Sequence, residues 1–246
     1  MIDDGIVKKL NEAVLEKFNE ADNGSWQEDS ITEIILITLK NNISEVSLFN
    51  KIEWNICKYR GKLENTFGDI AFVIKIYFMP DKYIEGVYFI EAKKFDLITE
   101  KYVSIEFDNL ERYIEYSQAH STLLYNINQD MFGEYQNILT LPTHHLIALH
   151  DKSKKIEDYT DSFEYLLNDL FKGKNLDYRK EKLDDAKGFV SNTGKKFKYI
   201  VTTAIALKQN IDMNLSMINT DHYQTIDSDK TEQNQVKSNR RTSFRR

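Results

Sequence analysis

The chain has 246 residues, of which 41% are hydrophobic and 12% aromatic, enough to build a core in one large domain or in one domain with an accessory part. Only 2 prolines and 9 glycines exclude collagen-like and linker-rich designs, and a single cysteine excludes an intramolecular disulfide framework and a cysteine-based zinc site. A formal net charge of −6 argues against broad attraction to nucleic acid but is compatible with one local basic surface.

The beginning of the chain predicts two helices and a strand. Apolar residues recur at helical spacing between positions 6 and 19, so residues 1–27 are expected to form an N-terminal helix. The segment Ser30-Ile31-Thr32-Glu33 matches a capping box and predicts a second helix that runs to about Lys40. Trp54 and Tyr59 flank a predicted first strand.

Two apolar runs then predict a β-hairpin. Asp69 begins the first run, the turn-like segment 79–82 joins the two, and Glu91-Ala92-Lys93 ends the second. On a strand, Glu91 and Lys93 point to the same face. Glu91 is also the only glutamate in the chain with a lysine two residues later. Two carboxylates and an ammonium group are therefore expected to converge on one side of the hairpin.

These three residue types suit metal-assisted phosphate chemistry. Carboxylate oxygens are ligands for Mg²⁺, which takes its remaining ligands from water and substrate phosphate. A lysine beside the metal can orient or deprotonate an attacking water, or stabilise charge that develops on the phosphate. Asp185-Ala186-Lys187 has the same spacing but lies in a stretch with a helical pattern, where such positions do not share a face. The alternative interpretation of Glu91 and Lys93 is a solvated cross-strand ion pair.

The pair Gly68-Asp69 and Glu91-Ala92-Lys93 resembles the active-site motif of the PD-(D/E)xK, or restriction-endonuclease-like, nuclease superfamily, in a Gly-Asp variant. The resemblance implies that Asp69 and Glu91 hold Mg²⁺, for which Mn²⁺ substitutes, and that Lys93 is catalytic. It also implies that a glutamate of an early helix completes the metal shell. Glu28 and Glu33 both qualify, and the sequence does not separate them, although the capping box gives Glu33 a competing role.

The helix after the Glu91 strand is predicted to open at a second capping box, Asp108-Asn109-Leu110-Glu111. Many members of the superfamily carry Gln-x-x-x-Tyr here, and this chain has Asn109 and Tyr113 at that spacing. Asn109 keeps the amide but is one methylene shorter, so Gln118, expected on the same helix, is the alternative. A helix-start asparagine and an exposed glutamine without a functional role is an equally open interpretation.

Further along the chain, segments 122–126 and 145–150 are predicted strands. His144, His145 and His150 would then stand too far apart, or on opposite faces, to share a metal ion. The order of elements over roughly residues 28–127 resembles the αβββαβ core of the restriction-endonuclease-like fold, an α/β architecture with a mixed central sheet. The nuclease core is expected to span residues 28–151.

The remaining chain is predicted to be a helical C-terminal part followed by a tail. Amphipathic patterns over 159–171 and 176–187 predict helices. The apolar segment 197–207 is interpreted as a buried helix, although its β-branched residues also allow a strand. These segments make residues 152–218 a helical extension, whereas the polar composition of residues 219–246 favours a disordered tail.

The expected function is that of a Mg²⁺-dependent nuclease acting on nucleic acid, most readily DNA, in restriction, repair or defence against phage. Lys58, Arg60 and Lys62 are candidate phosphate contacts. The alternative is a non-catalytic module of the same fold that binds nucleic acid or protein, and residues 152–218 are a candidate surface for a second copy or a partner protein. The chain has no apolar run of membrane-spanning length and no secretory signal pattern, so a cytoplasmic location is expected.

Overall fold

A computed structural model describes residues 4–20, 26–42, 51–62, 67–96, 101–102, 105–127, 137–151, 156–190, 195–208 and 211–226. The helices of this part are α1 (Asp4–Asn19), α2 (Glu28–Asn42), α3 (Phe107–Tyr116), α4 (Thr143–Asp151), α5 (Phe163–Phe171) and α6 (Lys180–Ala186). Its strands are β1 (Lys51–Tyr59), β2 (Gly68–Met79), β3 (Lys82–Asp96), β4 (Lys101–Tyr102), β5 (His120–Tyr125), β6 (Ile138–Pro142), β7 (Asp161–Ser162), β8 (Phe197–Ala206) and β9 (Tyr223–Thr225).

The strands form one mixed sheet in the order β7-β6-β5-β3-β2-β8-β1-β9, with β4 paired to the far end of β3. The pairs β2–β8 and β3–β5 are parallel, and the other pairs are antiparallel. Alternate residues of β2 pack against α1, α2 and α5 on one face of the sheet and against α3, α4 and α6 on the other. The predicted α/β class and the mixed sheet are confirmed.

The predicted hairpin is present as β2 and β3. β2 over most of its length and β3 over residues 86–92 are buried on two faces, which explains why these stretches are continuous apolar runs rather than alternating ones. Asp81 adopts a positive φ of 60° in the connecting turn, a conformation that aspartate tolerates better than most side chains do. The hairpin brings the start of β2 next to the end of β3.

Helices α2 and α3 do not begin at the positions that the two capping boxes predicted. α2 begins at Glu28, and the Thr32 hydroxyl donates to the carbonyl of Glu28, one turn earlier in the same helix. Ser30 therefore lies inside the helix, and Glu33 does not act as a capping residue. α3 likewise begins at Phe107 and has no side-chain cap, because its N-cap residue is Glu106 rather than Asp108. The predicted helix over residues 6–19 is confirmed as α1.

The three consecutive strands expected in the αβββαβ core, β1 to β3, are not sheet neighbours in chain order, because β8 lies between β1 and β2. Segment 197–207, for which a buried helix was favoured, forms this strand and is buried over nearly its whole length. Short apolar runs do not distinguish a buried helix from a central strand, and here the β-branched residues indicated the correct structure. The segment 152–218 is consequently not a purely helical extension, since β8 belongs to the centre of the core sheet.

Three other predicted elements have different structures. Segment 145–150 is not a strand but part of α4, where Leu146 is buried while His144 and His145 are exposed, a one-sided pattern that suits a helix. The short strand β4, for which no element was predicted, pairs with the end of β3. The two C-terminal helices are shorter than predicted, and β7 precedes the first of them.

The disordered tail was predicted to begin at residue 219, but the fold continues beyond that residue. Residues 219–226 belong to the fold, because β9 pairs with β1 and the Tyr223 side chain is buried. The Tyr223 hydroxyl accepts a hydrogen bond from the backbone N–H of Phe197 at 3.1 Å, which ties this segment to the start of β8. The remainder of the predicted tail, residues 227–246, lies outside the described residues. None of the described helices has the length and apolar character needed to cross a membrane.

Candidate active site

Three neighbouring strands bring their functional residues to one end of the sheet. In the β2–β3 pair Ile70 lies opposite Ile90, so Asp69, one residue earlier, lies next to Glu91. In the parallel β2–β8 pair Gly68 and Ile70 match Phe197 and Tyr199, which places Asp69 beside Lys198. The register of β2 therefore sets Asp69 between a carboxylate and an ammonium group.

Asp69 is held in place by two contacts. Its Oδ2 accepts a hydrogen bond from the backbone N–H of Ala92 at 2.8 Å, and its Oδ1 lies 2.6 Å from Nζ of Lys198. The side chain is almost completely buried, with 3% of the residue exposed. Asp69 therefore joins the ends of all three strands through its two oxygens.

Glu91 and Lys93 leave β3 on the same face, as the alternation of a strand requires. Lys93 Nζ donates to Glu91 Oε1 at 2.7 Å. The other oxygen, Glu91 Oε2, is buried and has no hydrogen-bond partner among the described residues. It lies close to Gly68, where an added Cβ would come within 3.8 Å of it. A buried carboxylate oxygen without a partner is costly and indicates that a cation or donor belongs there.

The first turn of α2 supplies two more carboxylates. Glu28 Oε2 lies 3.9 Å from Lys93 Nζ, and Asp29 Oδ1 accepts from Lys198 Nζ at 3.0 Å. Glu28, Asp29 and Asp69 each place one oxygen within 4.8 Å of the others. Of the two glutamates that the sequence left open, the structure thus brings Glu28 to the site.

Burial and neighbouring carboxyl groups raise the pKa values of Glu91 and Glu28. Burial, reinforced by the Asp69 carboxylate, raises the pKa of Glu91 to about 8, although Lys93 acts in the opposite direction. The same two causes raise the pKa of Glu28 to about 7. Burial acts to lower the pKa of Lys93, but Glu91 and the other nearby carboxylates raise it above its ordinary value. The site therefore holds a charged lysine next to carboxyl groups that resist ionisation.

A cleft of about 180 Å³ opens beside Glu91 and Lys93 and is closed on its other side by the first turn of α3. Asn109 lines this cleft, and its side-chain amide donates to Glu106. Gln118, the alternative to Asn109, lies beyond the end of α3, is exposed, and donates to the carbonyl of Ile114. Of these two amides, only that of Asn109 belongs to the lining of the cleft beside Glu91 and Lys93.

Glu33 and Lys58, both candidates from the sequence, contact each other away from Asp69. Lys58 Nζ lies 2.6 Å from Glu33 Oε2, and the same oxygen accepts from the Tyr199 hydroxyl at 3.2 Å. This pair joins α2 to the sheet, so neither group is available as a metal ligand or a phosphate contact in this arrangement. Arg60 and Lys62 are exposed just after β1.

Sequence reasoning missed Asp29 and Lys198. Asp29 directly follows Glu28, and the helix start that the capping box predicted left both residues outside the helix. Lys198 lies in the segment for which a helix was favoured, and only its assignment to a strand beside β2 brings its ammonium group to Asp69. The β-branched content of that segment was the available signal.

Two further cations lie next to the site, around the ring of Phe67. The guanidinium carbon of Arg112 is 5.1 Å from the ring centroid, and Nζ of Lys195 is 4.8 Å from it. Phe67 immediately precedes Gly68, and Arg112 is one turn after Asn109, a residue that lines the cleft, on α3. Within the described ranges, neither forms a salt bridge with a carboxylate.

The donor set fits a divalent cation that prefers oxygen ligands. Glu28, Asp29, Asp69 and Glu91 exceed the two ammonium groups of the site by two charges when all are ionised, and Glu91 Oε2 has no partner in the described part of the chain. Such carboxylate-rich sites are typical of Mg²⁺ and Mn²⁺. Comparison with protein-family models, curated proteins and solved structures finds no match for this chain.

The raised pKa of Glu91 predicts a pH-dependent penalty on stability. A carboxyl group whose folded-state pKa lies above its ordinary value supports folding while it is protonated, and this support is lost as the pH rises through the folded-state pKa. In EDTA, Glu91→Gln should therefore melt several °C above the wild type at pH 9 and close to it at pH 5, since about 1 kcal/mol corresponds to ~2–4 °C at this size. Thermal unfolding across this range measures the difference.

Glu111→Gln is the matched control, because Glu111 is an exposed glutamate on α3. Its melting curve should follow that of the wild type at every pH. If the melting temperatures of Glu91→Gln and the wild type changed in parallel with pH, ionisation of Glu91 would not destabilise the folded protein.

Proposed function

We propose that this protein is a divalent-metal-dependent nuclease that hydrolyses phosphodiester bonds of nucleic acid, with DNA as the favoured substrate. The proposal includes a cytoplasmic location and a role in restriction, repair or defence against phage. Asp69 and Glu91, assisted by Glu28, are assigned as ligands of Mg²⁺ or Mn²⁺, and Lys93 as a catalytic residue.

The observation that carries the proposal is the meeting of Asp69, Glu91 and Lys93 in one buried site with an open cleft beside it. A solvated ion pair at a strand end does not account for this arrangement. Glu91 is buried, its Oε2 has no partner among the described residues, and its pKa is shifted upward, which is the combination expected where charge is arranged for chemistry rather than for stability.

Each residue has a defined task in the proposed reaction. A Mg²⁺ ion at this site supplies Lewis-acid polarisation of the scissile phosphate. The neighbouring carboxylates raise the pKa of Lys93, and its ammonium group is assigned to orient the attacking water and to stabilise negative charge on the phosphate. Asn109 is positioned in the cleft to donate its amide to substrate. Addition of water across the P–O3′ bond leaves a 3′-hydroxyl and a 5′-phosphate.

Arg112 and Lys195 support a nucleic-acid substrate for this site. They place two cations beside the aromatic ring of Phe67, directly next to the start of β2. A duplex backbone carries closely spaced phosphates, so a protein contacts it through such positive groups even when its overall charge is negative. This pair replaces Lys58 as the proposed phosphate contact, since Lys58 is engaged by Glu33.

One observation favours a second candidate, a binding module of the same fold that does not cleave. Lys198 neutralises Asp69 and Asp29 without any metal ion, as expected for a purely structural acidic cluster. The two candidates differ in their need for metal. A non-catalytic module would bind nucleic acid or protein equally well in EDTA and would leave a plasmid intact.

The deciding experiment is incubation of supercoiled plasmid with the protein in Mg²⁺, Mn²⁺ or EDTA. Cleavage is expected with either metal and not in EDTA. Asp69→Asn should lower the rate by at least ~10²–10³-fold, because the amide keeps the shape of the side chain but removes the charge that holds the metal. Thermal unfolding of the variant should show that it is folded. Cleavage in EDTA, or full activity of Asp69→Asn, would contradict the assignment.

A second test separates adjacent lysines of β3. Lys93 points into the site, whereas Lys94 points to the other face and donates to the carbonyl of Trp26. Lys93→Met should reduce the single-turnover cleavage rate by ~10²-fold or more, and Lys94→Met should reduce it by less than ~5-fold. Methionine keeps the length of the aliphatic stem in both variants. Equal losses would mean that the ammonium group of Lys93 has no special role.

A third test concerns the two cations at Phe67. In an Asp69→Asn background that does not cleave, Arg112→Ala and Lys195→Ala should each weaken the binding of a labelled DNA duplex and reduce the slope of log affinity against log salt by about 1. Fluorescence anisotropy at several salt concentrations measures both quantities. Lys82→Ala is the control, since Lys82 is exposed at the opposite end of the hairpin, roughly 30 Å away by strand rise. An unchanged slope for all three variants would exclude this surface.

A further inference from the structure

Lys198 occupies the centre of the acidic cluster. Its Nζ lies 2.6 Å from Oδ1 of Asp69 and 3.0 Å from Oδ1 of Asp29. Burial acts to lower the pKa of Lys198, but these two carboxylates raise it above its ordinary value, so the group is a permanent cation. One ammonium group thus ties β8 to both β2 and α2.

The same two aspartates belong to the group of carboxylates that can hold a metal ion. Mg²⁺ requires oxygen ligands at ~2.0–2.1 Å in near-octahedral geometry. An ammonium group in hydrogen-bond contact with Asp69 and Asp29 lies where such an ion would be, and two cations at that separation repel each other strongly in a buried site. The lysine and the metal ion therefore compete for the same oxygens.

Glu91 provides independent evidence that Lys198 does not satisfy all the carboxylate oxygens around this cluster. Its Oε2 is buried and has no hydrogen-bond partner among the described residues, although Lys93 satisfies Oε1. When Glu28 and Glu91 are ionised, the ammonium groups of Lys93 and Lys198 leave the four carboxylates short of two positive charges.

We propose that Lys198 is an internal counter-ion that holds the place of the divalent cation, moves aside when the metal binds, and so sets the metal affinity of the site. This inference rests on the proposed metal centre. In the absence of metal the lysine stabilises the fold by neutralising Asp69 and Asp29. Its displacement is a cost that metal binding has to overcome, which makes the site weaker for metal but stable without it.

The test is Mn²⁺ binding to Lys198→Met, measured by isothermal titration calorimetry together with thermal unfolding. The variant should bind Mn²⁺ at least ~10-fold more tightly than the wild type, because no ammonium group has to be displaced. Its melting temperature should lie below that of the wild type in EDTA, and Mn²⁺ should raise it by more than it raises the wild type. Lys198→Gln, a second neutral variant, should behave in the same way if the methionine variant does not fold.

Two controls separate displacement from other effects. Lys58→Met removes an ion pair with Glu33, which lies on α2 as Asp29 does. This variant should have a lower melting temperature by the same amount in EDTA and in Mn²⁺, and its affinity for Mn²⁺ should be unchanged. Lys93→Met removes a nearby positive charge that contacts Glu91 and, more distantly, Glu28, but not the Asp69 and Asp29 oxygens that Lys198 occupies. It should tighten Mn²⁺ binding by less than ~3-fold.

The outcomes are distinct. Mn²⁺ affinity of Lys198→Met equal to or weaker than that of the wild type, or an equal gain in Lys93→Met, overturns the role of Lys198 while the metal centre stands. Absence of Mn²⁺ binding in the wild type and in every lysine variant overturns the metal centre and the counter-ion together.

Discussion

The pairing of β2 with β3 on one side and with β8 on the other is the constraint on which the site depends. It places Asp69 next to Glu91 and Lys198 at the same time. A slip of one residue in either pair would turn the opposing side chain to the other face of the sheet and separate these groups. The apolar interior of the three strands, buried on both faces, stabilises this register and thereby holds three charged groups in contact.

Holding these charged groups close together lowers the stability of the folded protein. Among the described residues, Glu28, Asp29, Asp69 and Glu91 pair with two ammonium groups, those of Lys93 and Lys198, and the raised pKa values of Glu28 and Glu91 reflect the cost of ionising them there. Such a cost is tolerated when the same groups act on a cation or a substrate. The half-buried contact of Lys58 with Glu33, by contrast, pairs one positive with one negative charge.

Much of the site could be predicted from local patterns. Asp69, Glu91 and Lys93 lie on two consecutive strands joined by a short turn, so their spacing along the chain determines their proximity. Asn109 follows because its helix comes next and packs over the end of β3. Glu28 and Glu33 could not be separated, since their roles depend on where α2 begins and on the partner that each meets across the sheet. The capping box pointed to the wrong helix start, whereas the tertiary contacts of α2 decided it.

The sequence by itself determined the α/β class, the hairpin and the three central residues, because strand alternation and a tight turn are local properties. Only the tertiary structure decided that β8, distant along the chain, lies between β1 and β2, and that it carries Lys198 to Asp69. It also decided that Tyr223 anchors a segment assigned to the tail. Pairing between distant segments depends on the complete sheet and its two helical layers, and no local pattern in one chain encodes which strand becomes the neighbour of another.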